Sequence, residues 1–143
     1  MELMDDPFKD NDAGLAQMIA DYMERGFLEN IIDMYRHDSG LYRLIGILIQ
    51  DERVRVRLGI TALLEDLSAT DRGNVAKSVP FLLPLLEHGE AVVRGDVCNL
   101  LGIIGDRDTH SHLEKALEDE NESVRTIAQE GLDQLKRLYP KTA

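Results

Sequence analysis

The sequence VRLGITALL at residues 56–64 returns as VRGDVCNLL at 93–101 and again as VRTIAQEGL at 124–132. The Val-Arg pairs that open these segments are 37 and then 31 residues apart (93 − 56 and 124 − 93). An internal period of this size is typical of helix pairs that stack into a solenoid. We therefore expect an all-α fold, and stacked helix pairs commonly form extended binding surfaces.

Apolar residues spaced three and four positions apart predict eight helices, which we expect to form four antiparallel pairs. Gly26 is expected to end the first helix, whereas Pro80 and Pro84 are expected to kink or divide the fifth. The predicted helices span 13–25, 27–37, 41–50, 52–67, 74–87, 90–104, 110–118 and 121–138.

The predicted loops are two to six residues long, which is too short to separate independent domains. We expect a frayed acidic N-terminus at 1–12, N-terminal helices at 13–50 that form a divergent repeat or a cap, repeats at 51–139, and a tail at 140–143. The 143-residue chain is long enough to bury a sizeable core. Its lack of Trp leaves Val, Ile, Leu and Ala to fill that core.

Two stretches of the chain resemble a HEAT repeat. They are VPFLLPLLE at 79–87, followed by VVR at 92–94, and LEDENESVR at 117–125. The segment LGIIGD at 101–106 resembles the short HEAT-like subclass named after phycobilin lyases. The resemblance covers residues 51–138 and implies a short α-solenoid in which the second helix of each pair lines the concave face.

The resemblance also implies a structural ladder, because in HEAT repeats an Asp six residues before the repeated Arg pairs with it. Asp51 with Arg57 and Asp119 with Arg125 fit this spacing. Arg94 has His88 at that position, which breaks the pattern.

The formal net charge of −11 makes nucleic acid a poor partner, because such a field repels phosphate backbones. A basic protein or peptide fits better. No apolar run approaches the length that spans a bilayer, and the first residues lack the features of a secretory signal. We therefore expect a cytoplasmic protein that does not enter membranes, as a monomer or a weak homodimer.

The residues offer little support for catalysis, and we expect no cofactor, no metal and no enzymatic activity. His110 and Glu114 are four residues apart and share a helix face, but a short exposed helix start rich in His and Ser is usually just a polar cap. Cys98 is expected to be a small packing residue. The His-Glu pairs of HEAT-like iron hydroxylases are missing after the Val-Arg pairs at 56–57, 93–94 and 124–125.

Positions opposite the apolar stripe of the repeated helices predict a partner-binding groove with acidic and apolar side chains. Such a groove suits a basic amphipathic segment. We therefore expect a protein-interaction scaffold, and the alternative that the resemblance leaves open is a bilin lyase-like enzyme subunit or maturation factor. The candidate partner-binding residues are Asp66, Asp96, Asn99, Ile103, Ile127 and Glu130.

Overall fold

A computed structural model describes the backbone of residues 7–140 and the side chains of residues 11–140. This part of the chain forms nine α-helices and three short 3-10 segments, and it contains no strand. The 3-10 segments are Ser39–Leu44, Ala76–Ser78 and Leu83–Glu87. The helices are α1 (Pro7–Glu24), α2 (Leu28–His37), α3 (Ile45–Leu48), α4 (Val54–Thr70), α5 (Arg72–Val75), α6 (Val79–Leu82), α7 (Ala91–Ile104), α8 (Thr109–Ala116) and α9 (Glu122–Leu138).

These elements form a short all-α solenoid of four helix pairs, as the sequence predicts. The pairs are α1 with α2, the segment 39–48 with α4, the broken segment 72–87 with α7, and α8 with α9. The long helices α4, α7 and α9 pack side by side, since α4 packs against α1, α2 and α7, and α7 packs most extensively against α9.

The first helix begins earlier than the sequence predicts. Proline suits the first helical position, because its missing N–H has no partner there anyway, and α1 begins at Pro7 instead of residue 13. Gly26 follows α1 with a positive φ of 91°, so its predicted role at the end of this helix is confirmed. The remaining residues of the expected N-terminus, 1–6, and those of the tail, 141–143, lie outside the described residues.

The two prolines divide the fifth predicted helix, as expected. Pro80 lies in the first turn of α6, and Pro84 lies in the first turn of the 3-10 segment that follows. A proline at the start of a helical segment removes no hydrogen bond that the segment needs. The chain therefore accepts both prolines by starting a new helical segment at each of them, which divides the first helix of the third pair.

One hydrophobic core runs through all four pairs, from Ala16 to Leu135. The predicted stripe of the first repeated helix is fully buried: Val56, Ile60, Leu63, Leu64 and Leu67. The largest buried side chains are Tyr35 and Tyr42. Their rings pack edge to face, with the ring centroids 5.2 Å apart.

Two glycines allow α7 and α9 to pack with their backbones almost touching. A Cβ added to Gly102 would lie 2.6 Å from the Cα of Gly131. A Cβ added to Gly131 would lie 3.0 Å from the carbonyl oxygen of Cys98. Because the opposing atoms belong to the backbone, no side-chain rotation relieves these contacts, and a side chain at either position must separate the two helices.

We predict that Gly102→Ala destabilises the protein by ~1–3 kcal/mol, because the new methyl group forces α9 away from α7. Gly14→Ala is the matched control: it lies inside α1 with no neighbouring atom within 4 Å of its added Cβ. That substitution should stabilise the protein by up to ~1 kcal/mol through helix propensity. Urea unfolding monitored by circular dichroism gives the free energy of unfolding of both variants. A Gly102→Ala protein as stable as the wild type would contradict the close packing.

Candidate functional site

The repeated arginines bind the backbone of the turn that precedes each second helix. Arg57 donates to the carbonyl oxygen of Asp51 at 3.1 Å, Arg94 to that of His88 at 2.8 Å, and Arg125 to that of Asp119 at 2.7 Å. Each acceptor lies six residues before its arginine. Carbonyls just after a helix lack intrahelical partners, so each arginine satisfies one of them and fixes the turn.

Two of these arginines also bind a carboxylate of the next repeat. Arg94 is buried and contacts Asp119 through Nε at 2.8 Å and Nη2 at 3.1 Å. The Nε of Arg57 lies 3.2 Å from the carboxylate of Asp96 on α7. Hydrogen bonding from Arg94 holds the pKa of Asp119 below its usual value. These ion pairs connect consecutive repeats.

This arrangement corrects the expected pairing of Asp51 with Arg57 and of Asp119 with Arg125 through their side chains. The Asp51 carboxylate instead accepts hydrogen bonds from Arg53 at 2.9 and 3.0 Å, which lower its pKa. Arg53 also reaches Asp21 on α1 at 3.0 Å. The repeated arginines need only a backbone carbonyl at the sixth preceding position, and this explains why a histidine at position 88 does not interrupt the series.

The second helices α4, α7 and α9 present their outward sides together, and we call this surface the α4–α7–α9 face. Of the predicted partner-binding residues, Asn99 and Glu130 are exposed on it, and Ile103 and Ile127 are half-buried. Asp66 lies towards α2 instead, where its carboxylate pairs with Arg36 at 2.9 Å. The structure therefore brings the α7 and α9 candidates together and separates Asp66 from them.

Asp96 is less available for binding a partner than the sequence implies. Its side chain is 36% exposed and pairs with Arg57. Burial raises the pKa of this carboxyl, and Arg57 offsets part of that effect. Asp96 is therefore a structural contact between α4 and α7 as well as a residue of the face.

Two depressions lie on the α4–α7–α9 face, one towards each end of α7. The first is lined by Val92, Gly95, Asp96, Ser123 and Ile127. The second lies where the C-terminal parts of the three helices meet, and it is lined by Glu65, Ala69, Arg72, Ile103, Gln134 and Leu138.

Sequence reasoning missed several exposed apolar residues of this region. Leu58 is 65% exposed and Val92 is 59% exposed, while Leu138 is 42% exposed. Leu58 lies two residues after the buried Val56, which is about 200° around a helix. The same helical periodicity that identified the core therefore contained the signal for Leu58.

Arg72 fixes the end of α7 beside the second depression. It donates to the carbonyl oxygens of Ile103 at 2.6 Å and Gly105 at 3.0 Å. Its guanidinium lies 5.9 Å from the ring centroid of Tyr139. These contacts satisfy carbonyls at the end of α7 that the helix leaves unpaired, and they tie α5, α7 and the end of α9 together.

The His110–Glu114 pair and Cys98, which the sequence offers as candidates for chemistry, do not belong to this face. Among the described residues, no group of three or more His, Cys, Asp or Glu side chains is arranged to hold a metal ion. His110 and Glu114 approach each other to 3.4 Å, as their spacing on α8 predicts. Cys98 is fully buried, and burial, with a further contribution from Asp119, raises the pKa of its thiol to about 11.

We predict that acid weakens the fold partly through Asp119. Because its pKa is lowered in the folded state, its stabilising contribution is complete above the unfolded-state value of about 3.9. That contribution is lost as the pH falls through the lower folded-state pKa. Urea unfolding between about pH 6 and 2.5 should therefore show a smaller loss of stability in Asp119→Asn than in the wild type. The exposed Asp108→Asn is the control, and parallel curves for all three proteins would contradict the role of Asp119.

We predict that Cys98 reacts slowly with a thiol reagent in the native protein, because the reactive thiolate is both buried and scarce. Labelling with a disulfide reagent at pH 8 should be slower than in urea by more than about an order of magnitude. Rapid labelling of the native protein would show that this thiol is accessible.

None of the described helices is long and apolar enough to cross a membrane. In comparisons with known proteins, no curated protein matches the chain. The family model of HEAT repeats matches residues 41–133, which is more than half of the chain. This match is to HEAT repeats in general and does not assign the phycobilin lyase subclass. Together with the stacked helix pairs, it shows that the chain belongs to the HEAT repeat family.

Proposed function

We propose that this protein is a non-enzymatic interaction scaffold whose α4–α7–α9 face binds a basic amphipathic segment of another protein. HEAT repeats generally act as protein-interaction scaffolds. The observation that carries the proposal is the exposure of Leu58, Val92 and Leu138 on or beside this face. Exposed apolar side chains rimmed by polar residues are typical of protein–protein contacts.

The charges of the face favour a basic partner. Glu65 and Glu130 are exposed, and neither forms a salt bridge within the part of the chain that the structure describes. Asn99 lies between their helices and offers a further polar contact. In a chain with a net charge of −11, a basic segment is attracted before contact as well as at the face.

The two depressions favour a helical segment. Gly95 and Ile103, which line the first and second depressions, are eight residues apart on α7. This spacing corresponds to about 12 Å along the helix axis. A partner helix lying along α7 would place side chains seven or eight residues apart at about the same distance. We therefore propose two apolar anchors at that spacing, with Lys or Arg between them facing Glu65 and Glu130.

A cytoplasmic location is part of this proposal. The one cysteine of the sequence is a free, buried thiol, as is common in proteins of reducing compartments.

We predict that Glu65→Lys combined with Glu130→Lys abolishes partner capture without lowering the melting temperature. Both residues are exposed, so the substitutions reverse the charge of the face and leave the core unchanged. Asp96 is unsuitable for this test, because a lysine there would face Arg57. Capture from lysate, quantified by mass spectrometry, compares the double variant with the wild type.

Glu87→Lys combined with Glu118→Lys is the matched control, because it changes the net charge equally at exposed positions outside the second helices. Partners should bind the control and the wild type alike. Equal capture by all three proteins would contradict the proposal. A purified protein that carries a chromophore and captures no protein would instead favour the lyase-like alternative.

A further inference from the structure

The two ends of the solenoid differ in their polarity. At the C-terminal end, Thr126, Gln129, Asp133 and Lys136 follow helical spacing on α9, and all of them are exposed. At the N-terminal end, Met18, Tyr22 and Phe27 are 39%, 40% and 43% exposed. Terminal repeats of a solenoid need a polar outer face to remain soluble on their own. The C-terminal end has such a face, whereas the N-terminal end presents large apolar side chains.

The exposed apolar side chains form one continuous surface, which we call the N-terminal end face. Met18 and Tyr22 are one helical turn apart on α1. The ring of Tyr22 meets that of Phe27 edge to face at 5.8 Å. A cleft of about 400 Å³ separates Tyr22 from α2, and it is lined there by Glu29, Asn30, Asp33 and Met34.

The rim of this cleft is acidic. Glu29 and Asp33 are one turn apart on α2 and both line the cleft. The nearest basic group to Asp33 is His37, which lies 3.6 Å away and is charged only when protonated. Arg25 lies over the Phe27 ring at 5.6 Å from its centroid. A basic side chain of a partner would therefore meet two exposed carboxylates beside the ring of Tyr22.

We propose that the N-terminal end face binds an amphipathic helix of a second protein that carries Lys or Arg beside its apolar row. The apolar row packs on Met18, Tyr22 and Phe27. One basic side chain enters the cleft, with its aliphatic stem along Tyr22 and Met34 and its charged head between Glu29 and Asp33. Long basic side chains suit such a site because they bury an apolar stem and keep the charge at the rim.

A second copy of this chain fits the same surface less well than a basic protein. A two-fold symmetric dimer brings the same patch of both copies together, with residue i of one copy against residue j of the other, so four carboxylates, Glu29 and Asp33 of each copy, would share one interface with only the two copies of Arg25 beside them. Head-to-tail stacking would place the polar α9 row against Met18, Tyr22 and Phe27. This excess of carboxylates, in a chain with a net charge of −11, favours a different, basic protein. This surface lies on α1 and α2, apart from the α4–α7–α9 face, and its partner is independent of the function proposed above.

The test uses the full chain with Glu65→Lys and Glu130→Lys already present, so that binding at the α4–α7–α9 face is weakened. The probe is a fluorescent 18-residue peptide of leucine and lysine whose leucines form one face of a helix. A second peptide carries glutamate in place of every lysine. Fluorescence anisotropy gives the affinities, and amide chemical shifts of the labelled protein report where the peptide binds.

We expect the lysine peptide to bind this protein and to shift the amides of Met18, Tyr22 and Glu29, and we expect no binding of the glutamate peptide. Adding Glu29→Lys and Asp33→Lys should weaken binding by about tenfold or more, through loss of two charge contacts and the repulsion that replaces them. Adding Glu87→Lys and Glu118→Lys instead should leave the affinity within about twofold, because exposed charges far from the contact contribute little.

Three results would overturn the proposal. The first is no binding in the Glu65→Lys and Glu130→Lys background, which leaves the function proposed for the other face intact. The second is an affinity that Glu29→Lys and Asp33→Lys do not change. The third is a wild-type protein that sediments as a dimer and becomes a monomer with Tyr22→Ser, because a second copy would then occupy the surface.

Discussion

A single arginine contact, repeated three times, sets the geometry on which the rest of the structure depends. Each repeated arginine donates to the carbonyl oxygen six residues earlier, just after the first helix of its pair has ended. The contact satisfies a carbonyl that the helix leaves unpaired and fixes the angle at which the second helix begins. Arg94 extends the same constraint to the next repeat through Asp119, and Arg57 does so through Asp96. The stack of α4, α7 and α9 follows from these contacts.

The sequence predicts the fold well because the signal is periodic. Three Val-Arg segments in register predict the second helices, and the buried stripe from Val56 to Leu67 lies where helical spacing places it. The close approach of α7 and α9 was not predictable in this way. Gly102 and Gly131 meet across α7 and α9, and a glycine in a helix does not by itself indicate which backbone approaches it.

The candidate site was only partly predictable, because charge partners come from distant parts of the chain. Helical position correctly assigned Asp96 and Ile127 to one depression of this face and Ile103 to the other. It gave no means to know that Arg36, thirty residues earlier, pairs with Asp66. The resemblance implied carboxylate partners for the arginines, yet the acceptor at the sixth preceding position is a backbone carbonyl, which every residue type provides. His88 was the one sign of this in the sequence.

The two surfaces follow from the same architecture. Stacking buries the inward stripe of each helix, and the exposed apolar residues of the two surfaces lie on the outward side of the second helices or at an end of the stack. Leu58 and Val92 belong to the first group, and Tyr22 and Phe27 to the second. Both surfaces combine apolar side chains with carboxylates, as expected for a chain with a net charge of −11. Both proposals therefore place a basic segment of a partner against a surface of this kind.

The most direct measurement is chemical cross-linking of the protein's carboxylates to the lysine amines of its captured partner. Carbodiimide coupling forms an amide between a carboxylate and a lysine that already touch, and mass spectrometry identifies the linked residues. The account predicts links from partner lysines to Glu65 and Glu130. Links that occur only at Glu87 and Glu118, which lie outside the second helices, would contradict it.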